Sequence, residues 1–292
     1  MSEVSVSAPL ISVIVPCHNS AEFIERTLAA LLPQIADDVE LILVDNNSSD
    51  GTLALLEKAA SSAGIGPRFR VLSATAGQGV NVARNFGAAH ALGKWLLFTD
   101  HDDAVCPGWV AAFRNAFDDG AEIVAGPYLE MTSNGSVISE VSEPECHLWD
   151  IPYGLGANCG ITQAGFELIG GFRPHWIGGG DDADFFWRAH FAGLELVFVP
   201  EAKIVHFMRD SGGATFRQYR GYGRSAVRLF VEFRSLGMPR SSTRRAILAW
   251  PVAIGELVLS LVGIGSLRRA LSRLGVRLGR LQESVRQKVL YL

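Results

Sequence analysis

No two of the four cysteines in this 292-residue chain lie close together: Cys17, Cys106, Cys146 and Cys159 are scattered, with no Cys-x-x-Cys pair. That spacing argues against a zinc site and against a disulfide-dense secreted fold, and it fits a reducing cytoplasm. A targeting leader is not expected either. Residues 1–8 carry no Lys or Arg, and the apolar run 10–15 is too short for the core of a secretory signal. The Asn-x-Ser matches at Asn46, Asn47 and Asn134 therefore have no bearing on the reading. There is no internal repeat and no low-complexity segment. Charged residues are scarce, 19% against 48% hydrophobic, with a mean hydropathy of +0.21. The chain is long enough for one large core or two modest ones.

The charge is unevenly spread. Residues 1–206 hold 10 Lys/Arg against 26 Asp/Glu, a net of −16, whereas residues 207–292 hold 16 against 4, a net of +12. A basic region on an acidic body points to two jobs, with nucleic acid or anionic lipid as the obvious partners of the basic part.

Leu10-Ile11-Ser12-Val13-Ile14-Val15 is continuous, β-branched and bounded by Pro9 and Pro16, which predicts a strand buried on both faces. A helix carrying Phe23, Ile24, Leu28, Leu31 and Leu32 follows, with Asn19 or Ser20 as its expected cap. Strands are expected over 40–44, 69–72, 94–99, 121–126 and 196–199, and helices over 52–63, 80–92, 163–169 and 182–192. Residues 127–157 read as a long irregular excursion. Strands alternating with helices of this length predict an α/β fold with a mostly parallel central sheet.

The acidic turn Asp100-His101-Asp102-Asp103 closes the 94–99 strand. In an open α/β sheet that end of a strand is where ligands bind. Three acids in four residues repel one another unless neutralised, and their oxygens suit Mg2+ or Mn2+, which in turn suit phosphate. The alternative is a solvated acidic turn. Further along, Gly178-Gly179-Gly180 leads into Asp181-Asp182-Ala183-Asp184 at a helix start. A helix N-terminus stabilises an ionised carboxylate, so Asp182 is a candidate general base with Arg188 on the same helix, though ordinary capping explains the pattern too.

These segments, taken in order, resemble glycosyltransferase family 2. The resemblance is carried by Val13-Ile14-Val15-Pro16-Cys17-His18-Asn19, Val44-Asp45-Asn46-Asn47-Ser48-Ser49-Asp50-Gly51-Thr52, Ala83-Arg84-Asn85-Phe86-Gly87 and Phe98-Thr99-Asp100-His101-Asp102-Asp103. It continues through Gly170-Gly171-Phe172, Asp181-Asp182-Ala183-Asp184-Phe185 and Val199-Pro200-Glu201-Ala202-Lys203-Ile204-Val205-His206. It implies a GT-A fold over residues 1–206, with a nucleotide-sugar half at about 9–105 and an acceptor half at about 106–206. It also implies an inverting transfer from a nucleotide-diphosphate sugar, UDP- or dTDP-linked, to a hydroxyl of a glycan or lipid-linked acceptor. By the same resemblance Asp45 would accept from the N3–H of a uracil-type base, and Pro16 and Asn19 would line that pocket. Arg84 would lie near the donor, and Asp100 would contact ribose or metal-bound water. Asp102, with Asp100 and His206, would hold Mn2+ or Mg2+, and Asp182 would deprotonate the acceptor. The family's Glu-Asp pair is here Asp181-Asp182, and its Arg-Arg is replaced by Thr162-Gln163, which leaves acceptor contacts open. Trp149, Tyr153 and Trp176 could stack on sugar faces or pack in the core.

Residues 207–292 read as a helical C-terminal extension. Residues 246–265 carry a single charge, Glu256, and are long enough to span a bilayer, but Pro251 and Gly255 interrupt them, so a buried or half-inserted helical hairpin is the alternative. From Leu267 onward leucines mark one helix face and arginines the other, which suits a membrane surface or packing on the protein's own core. Together these features predict a cytoplasmic protein held peripherally or monotopically at the inner membrane face.

Two enzyme or binding alternatives stand beside this reading. A dinucleotide fingerprint nearly forms at Gly77-Gln78-Gly79, but Val82 takes its sixth position and it does not follow the first strand. A catalytically inactive GT-A module that binds sugar nucleotide or glycan is the runner-up. Nucleic acid is not expected as a partner, because the basic tail offers no aromatic platform.

Overall fold

The computed structural model describes residues 8–132, 134–208 and 212–292; most of the 1–8 segment read above therefore lies outside the described residues. The chain divides into two compact units. One comprises residues 1–145, 151–174 and 185–207, the other residues 146–150, 175–184 and 208–292.

In the first unit every residue of β1 (Ile11–Cys17) and β2 (Val39–Asp45) is buried. Strands without a polar face must lie inside a sheet covered on both sides. β2 also pairs with β3 (Phe69–Ser73), and β1 with β4 (Trp95–Thr99), all in parallel. Parallel neighbours need crossover connections. α1 (Ile24–Leu31), α2 (Thr52–Ser62) and α3 (Val80–His90) supply them. β6 (Ile123–Ala125), β9 (Asn158–Thr162) and β10 (Leu196–Phe198) complete a seven-stranded sheet of order β10-β6-β9-β4-β1-β2-β3. β9 runs antiparallel between β4 and β6.

The buried Asn158 anchors β9. It accepts from Trp109 Nε1 at 2.6 Å, and its Nδ2 donates to the carbonyls of Pro127 and Ala202, both at 2.8 Å. Trp109 opens α4 (Trp109–Asp118), whose Phe113 and Phe117 join the same core. A second sheet, of order β5-β11-β7-β8, contains β5 (Ala104–Val105), β7 (Tyr128–Thr132), β8 (Val137–Val141) and β11 (Ile204–Met208).

Three local expectations need correction. Residues 127–157 are not wholly irregular, since they hold the β7–β8 hairpin. No strand is expected beyond 196–199, yet His206 lies within β11. α1 has no side-chain cap: the Ser20 carbonyl takes the amides of Phe23 and Ile24, while Asn19 adopts a left-handed φ of 48°.

The second unit contains α7 (Gly212–Phe233), α8 (Thr243–Leu261) and α9 (Leu267–Arg286). α7 and α9 meet backbone to backbone. A Cβ on Gly279 would stand 2.1 Å from the Arg220 carbonyl oxygen, and one on Gly223 would stand 2.1 Å from that of Val276. The residues that α9 buries are Ala270, Gly275, Gly279, Glu283 and Ser284. Its inner face is thus a small-residue seam and not the leucine stripe, and Leu281 and Val285 remain exposed. Glu283 is buried between Arg224 Nε at 3.1 Å and Arg228 Nε at 3.0 Å. α8 contains Pro251 and ends at Leu261, short of the 246–265 run. Among the described residues, no helix is long and apolar enough to cross a membrane.

Candidate functional site

The carboxyl ends of β1, β2 and β4 place Cys17, Asp45 and the 100–103 turn at one end of the sheet, Cys17 and Asp45 being register partners. Burial pushes the Cys17 thiol far up. The charges of Asp45, Asp100 and Asp102 add to the rise, so all three acids lie in one neighbourhood.

Asp45 is 6% exposed, and its buried Oδ1 has no hydrogen-bond partner, while Oδ2 lies 3.5 Å from the Ser48 amide. A buried polar atom left unpaired carries a desolvation cost that a donor from a ligand would remove. The walls around it are tied together. Asn46 donates from Nδ2 to the carbonyls of Ala74 at 2.7 Å and Gly77 at 2.8 Å, and its Oδ1 accepts from the Gly79 amide at 2.8 Å. Asn19 Oδ1 accepts from the Ser49 amide at 2.8 Å, and His18 Nδ1 donates to the Asn46 carbonyl at 2.8 Å. Asn19 thus joins two loops, and Pro16 contributes a carbonyl that accepts from His101 Nδ1 at 3.0 Å. Asn46 is the residue that sequence reasoning passed over. A single Asn in a turn has no periodic signal, and only the loop after β3 shows what it clamps.

The acidic turn is held from three directions, two of which pair a carboxylate. Arg84, buried on α3, pairs through Nη2 with Asp100 Oδ1 at 2.9 Å, and its guanidinium lies 5.0 Å from the centre of the Phe172 ring. Arg26 Nη2 donates to the Asp102 carbonyl at 2.7 Å and stacks on Phe207 at 3.6 Å. Asp103 is fully buried, and its Oδ1 takes His206 Nδ1 at 2.8 Å. Burial pushes the Asp103 carboxyl up to about 6 against the pull of His206. Burial would lower His206, but the Asp103 charge and hydrogen bond outweigh it and raise the imidazole to about 9. Between those values the two form an imidazolium–carboxylate pair.

Among the described residues no group of three or more His, Cys, Asp or Glu side chains stands ready to hold a metal. The Asp102 carboxylate takes no hydrogen bond among the described residues, and Asp103 Oδ2 is buried without a partner. A Mg2+-type cation is commonly held by one or two carboxylates plus substrate phosphates and not by an all-protein cage. The turn fits a cation of that kind.

In the second unit Asp181 and Asp182 open α6 (Asp181–Phe191). Gly178, Gly179 and Gly180 before them have φ of 80°, 109° and 85°, which L side chains rarely adopt. The run is not a loose flap. Ser225 Oγ donates to the Gly179 carbonyl at 2.6 Å, and Gly179 lies so close to Tyr222 that a Cβ would meet its ring at 2.5 Å. Burial raises the Tyr222 phenol, and the charges of Asp182 and Asp181 raise it further, against a hydrogen bond from Gln218. Arg188, on the same helix as Asp182, donates to the carbonyls of Ile169 at 2.5 Å and Gly171 at 2.8 Å. Tyr153 and Trp176 are buried, and Trp149 packs near Phe233.

The family model described as glycosyl transferase family 2 matches residues 12–172, more than half the chain. The chain belongs to glycosyltransferase family 2. This glycosyltransferase is 26% identical over 261 residues to glycosyltransferase AglE of Haloferax volcanii, covering 85% of this chain and 82% of that one. It is 31% identical over 138 residues to the succinoglycan biosynthesis protein ExoO of Rhizobium meliloti, covering 47% of this chain and only 38% of that one. Its fold matches a mannosyltransferase of Pyrobaculum calidifontis solved with GDP-Man and Mn2+. The TM-score is 0.63 at 17% identity, over 95% of this chain and 87% of that one. At that identity the likeness is one of fold alone, and the fold is GT-A.

Proposed function

We propose that this glycosyltransferase moves a sugar, with inversion, from a UDP- or dTDP-linked donor to a hydroxyl of a glycan or lipid-linked acceptor. The carrying observation is the pairing of two features at one sheet end: a buried carboxylate oxygen of Asp45 with no donor, and the half-neutralised acidic turn at 100–103. Asp45 accepts from an N–H of the base, giving the oxygen the partner it lacks. Arg84 holds Asp100 in place for the ribose side. Asp102, with Asp100, would hold Mn2+ or Mg2+, which when bound supplies Lewis-acid stabilisation of the departing diphosphate. With Nδ1 engaged by Asp103, His206 could join through Nε2 only by giving up the proton it carries there as an imidazolium. Asp182 takes the proton of the attacking hydroxyl at a carboxylate oxygen; no separate general acid is needed for a diphosphate leaving group.

The likeness to ExoO, named for succinoglycan biosynthesis, supports an extracellular or envelope polysaccharide as the product class. The exposed apolar side chains of α8 and the net charge of +12 over residues 207–292 support attachment to the cytoplasmic face of a membrane.

The test is a panel of UDP-, dTDP- and GDP-sugars assayed for nucleotide release with Mn2+, with and without EDTA, on the full chain and on Asp102→Ala. Release from one donor class, lost in EDTA and in the variant, is the expected result. Specific donor binding with no turnover under any of these conditions would instead favour an inactive binding module.

A further inference from the structure

The second unit holds a cavity of about 460 Å3 walled by α8, α9, residues 239–242 and the Tyr291–Leu292 end. Arg240, Arg277 and Arg280 line it, with no Asp or Glu among its described lining residues. Burial lowers the pKa of Arg277, and Arg273 and Arg280 lower it further by repulsion; burial does the same to Arg280. Nε of both arginines and Oγ of Ser241 are buried without a hydrogen-bond partner. Arg277 Nη1 reaches the Arg273 carbonyl at 3.2 Å, and Arg280 Nη1 reaches the Leu292 main-chain oxygen at 3.4 Å. Cations gathered in a partly dry cavity, with donors left over, call for an anion with several acceptor oxygens.

The helix that walls this cavity says where the anion comes from. Ala246, Ala249 and Trp250 of α8 face inward. Around and beyond them Leu248, Val252, Val258, Leu261, Val262 and Ile264 are each more than half exposed. A free anion would satisfy the arginines and leave that apolar surface in water. Contiguous exposed apolar surface of this kind marks an interaction site.

We propose that the cavity seats the phosphate group of a membrane lipid, while the outer side chains of α8 enter the acyl region. The proposal rests on the membrane attachment put forward above and names its partner. It differs from attraction by diffuse charge because it needs a cavity of defined shape.

The full chain is tested by co-flotation with phosphatidylcholine vesicles containing about 20 mol% phosphatidic acid, enough to give an anionic surface. Ala249→Phe fills the cavity and keeps every charge; Arg277→Gln with Arg280→Gln removes two charges inside it. Arg268→Gln with Arg269→Gln removes equal charge from α9 outside it. Circular dichroism checks the helices of each, and if one cavity variant loses helix the other decides. Both cavity variants should weaken binding by about tenfold, and the cavity pair by clearly more than the outside pair. If Ala249→Phe binds like the unaltered chain and the two arginine pairs fall alike, the cavity proposal is overturned while membrane attachment stands. No vesicle binding by the unaltered chain overturns both. Saturable calorimetric binding of inorganic phosphate, lost in the cavity pair and unaccompanied by vesicle binding, would overturn the lipid as the source.

Discussion

Arg84 and Asp100 give the sharpest test of how the acidic turn is held together. The Arg84 side chain is 3% exposed and that of Asp100 is 25% exposed, with 2.9 Å between Nη2 and Oδ1. Breaking a fully buried pair costs about 3–5 kcal/mol because one charge is stranded. With Asp100 a quarter exposed, solvent screens part of that, so Arg84→Met should destabilise by about 2–3 kcal/mol. Met keeps much of the apolar contact with Phe172 and removes the charge. Asp100→Asn strands the guanidinium instead and should cost about 1–2 kcal/mol. In the double variant neither charge is stranded, so the cycle should show a coupling of about 1–2 kcal/mol by urea unfolding at neutral pH. Arg84→Met also leaves Asp100, Asp102 and Asp103 with one counter-charge fewer, so it should bind Mn2+ more tightly in the absence of donor. Additivity within about 0.5 kcal/mol would refute the claim that this pair organises the turn.

Asp182→Asn keeps the helix-start hydrogen bonding but not the basicity, so kcat should fall by about 10²–10⁴ with donor affinity largely kept. Collapse of donor binding with the saturated rate intact would make Asp182 a binding residue. Gly279→Val drives a side chain into the Arg220 carbonyl and should cost at least about 1–3 kcal/mol, read as a lowered unfolding midpoint; a neutral result would contradict the α7–α9 seam. Burial would raise Glu283, but hydrogen bonds from Gln287, Arg228 and Arg224 prevail and lower it to about 2. Its stabilising contribution is therefore complete above the unfolded-state value near 4.5 and lost as pH falls toward 2; Glu283→Gln should flatten the acid side of the stability curve, and an unchanged slope would refute the pairing.

The parallel strands were legible because burial on both faces leaves a short run of consecutive aliphatic residues, as in Val13–Val15 of β1 and Leu41–Val44 of β2. β9 was not, since Asn158-Cys159-Gly160-Ile161-Thr162 has low strand propensity and holds its place through one buried Asn and the two strands beside it. The β7–β8 hairpin stayed hidden because a half-exposed edge pair needs little hydrophobic signal. The acids at the strand ends could be named from sequence. What each one pairs with could not, because Arg84 is 16 residues from Asp100 and His206 is 103 from Asp103.

α9 shows where hydrophobic periodicity misleads. The leucines drew attention to one face, yet helices whose backbones touch need the absence of side chains, and Gly275 and Gly279 supply it. That packing also changes what the basic residues mean. Arg224 and Arg228 are used inside the second unit to neutralise Glu283, and Arg273 pairs with Glu256. Two acids cannot balance 16 basic residues over 207–292, and four do not either. On the function proposed above, the net of −16 and the net of +12 serve different ends. The acidic region would concentrate charge where a cation bridges it to phosphate, and the basic region holds an excess that its own four acids leave open to an anionic surface or ligand.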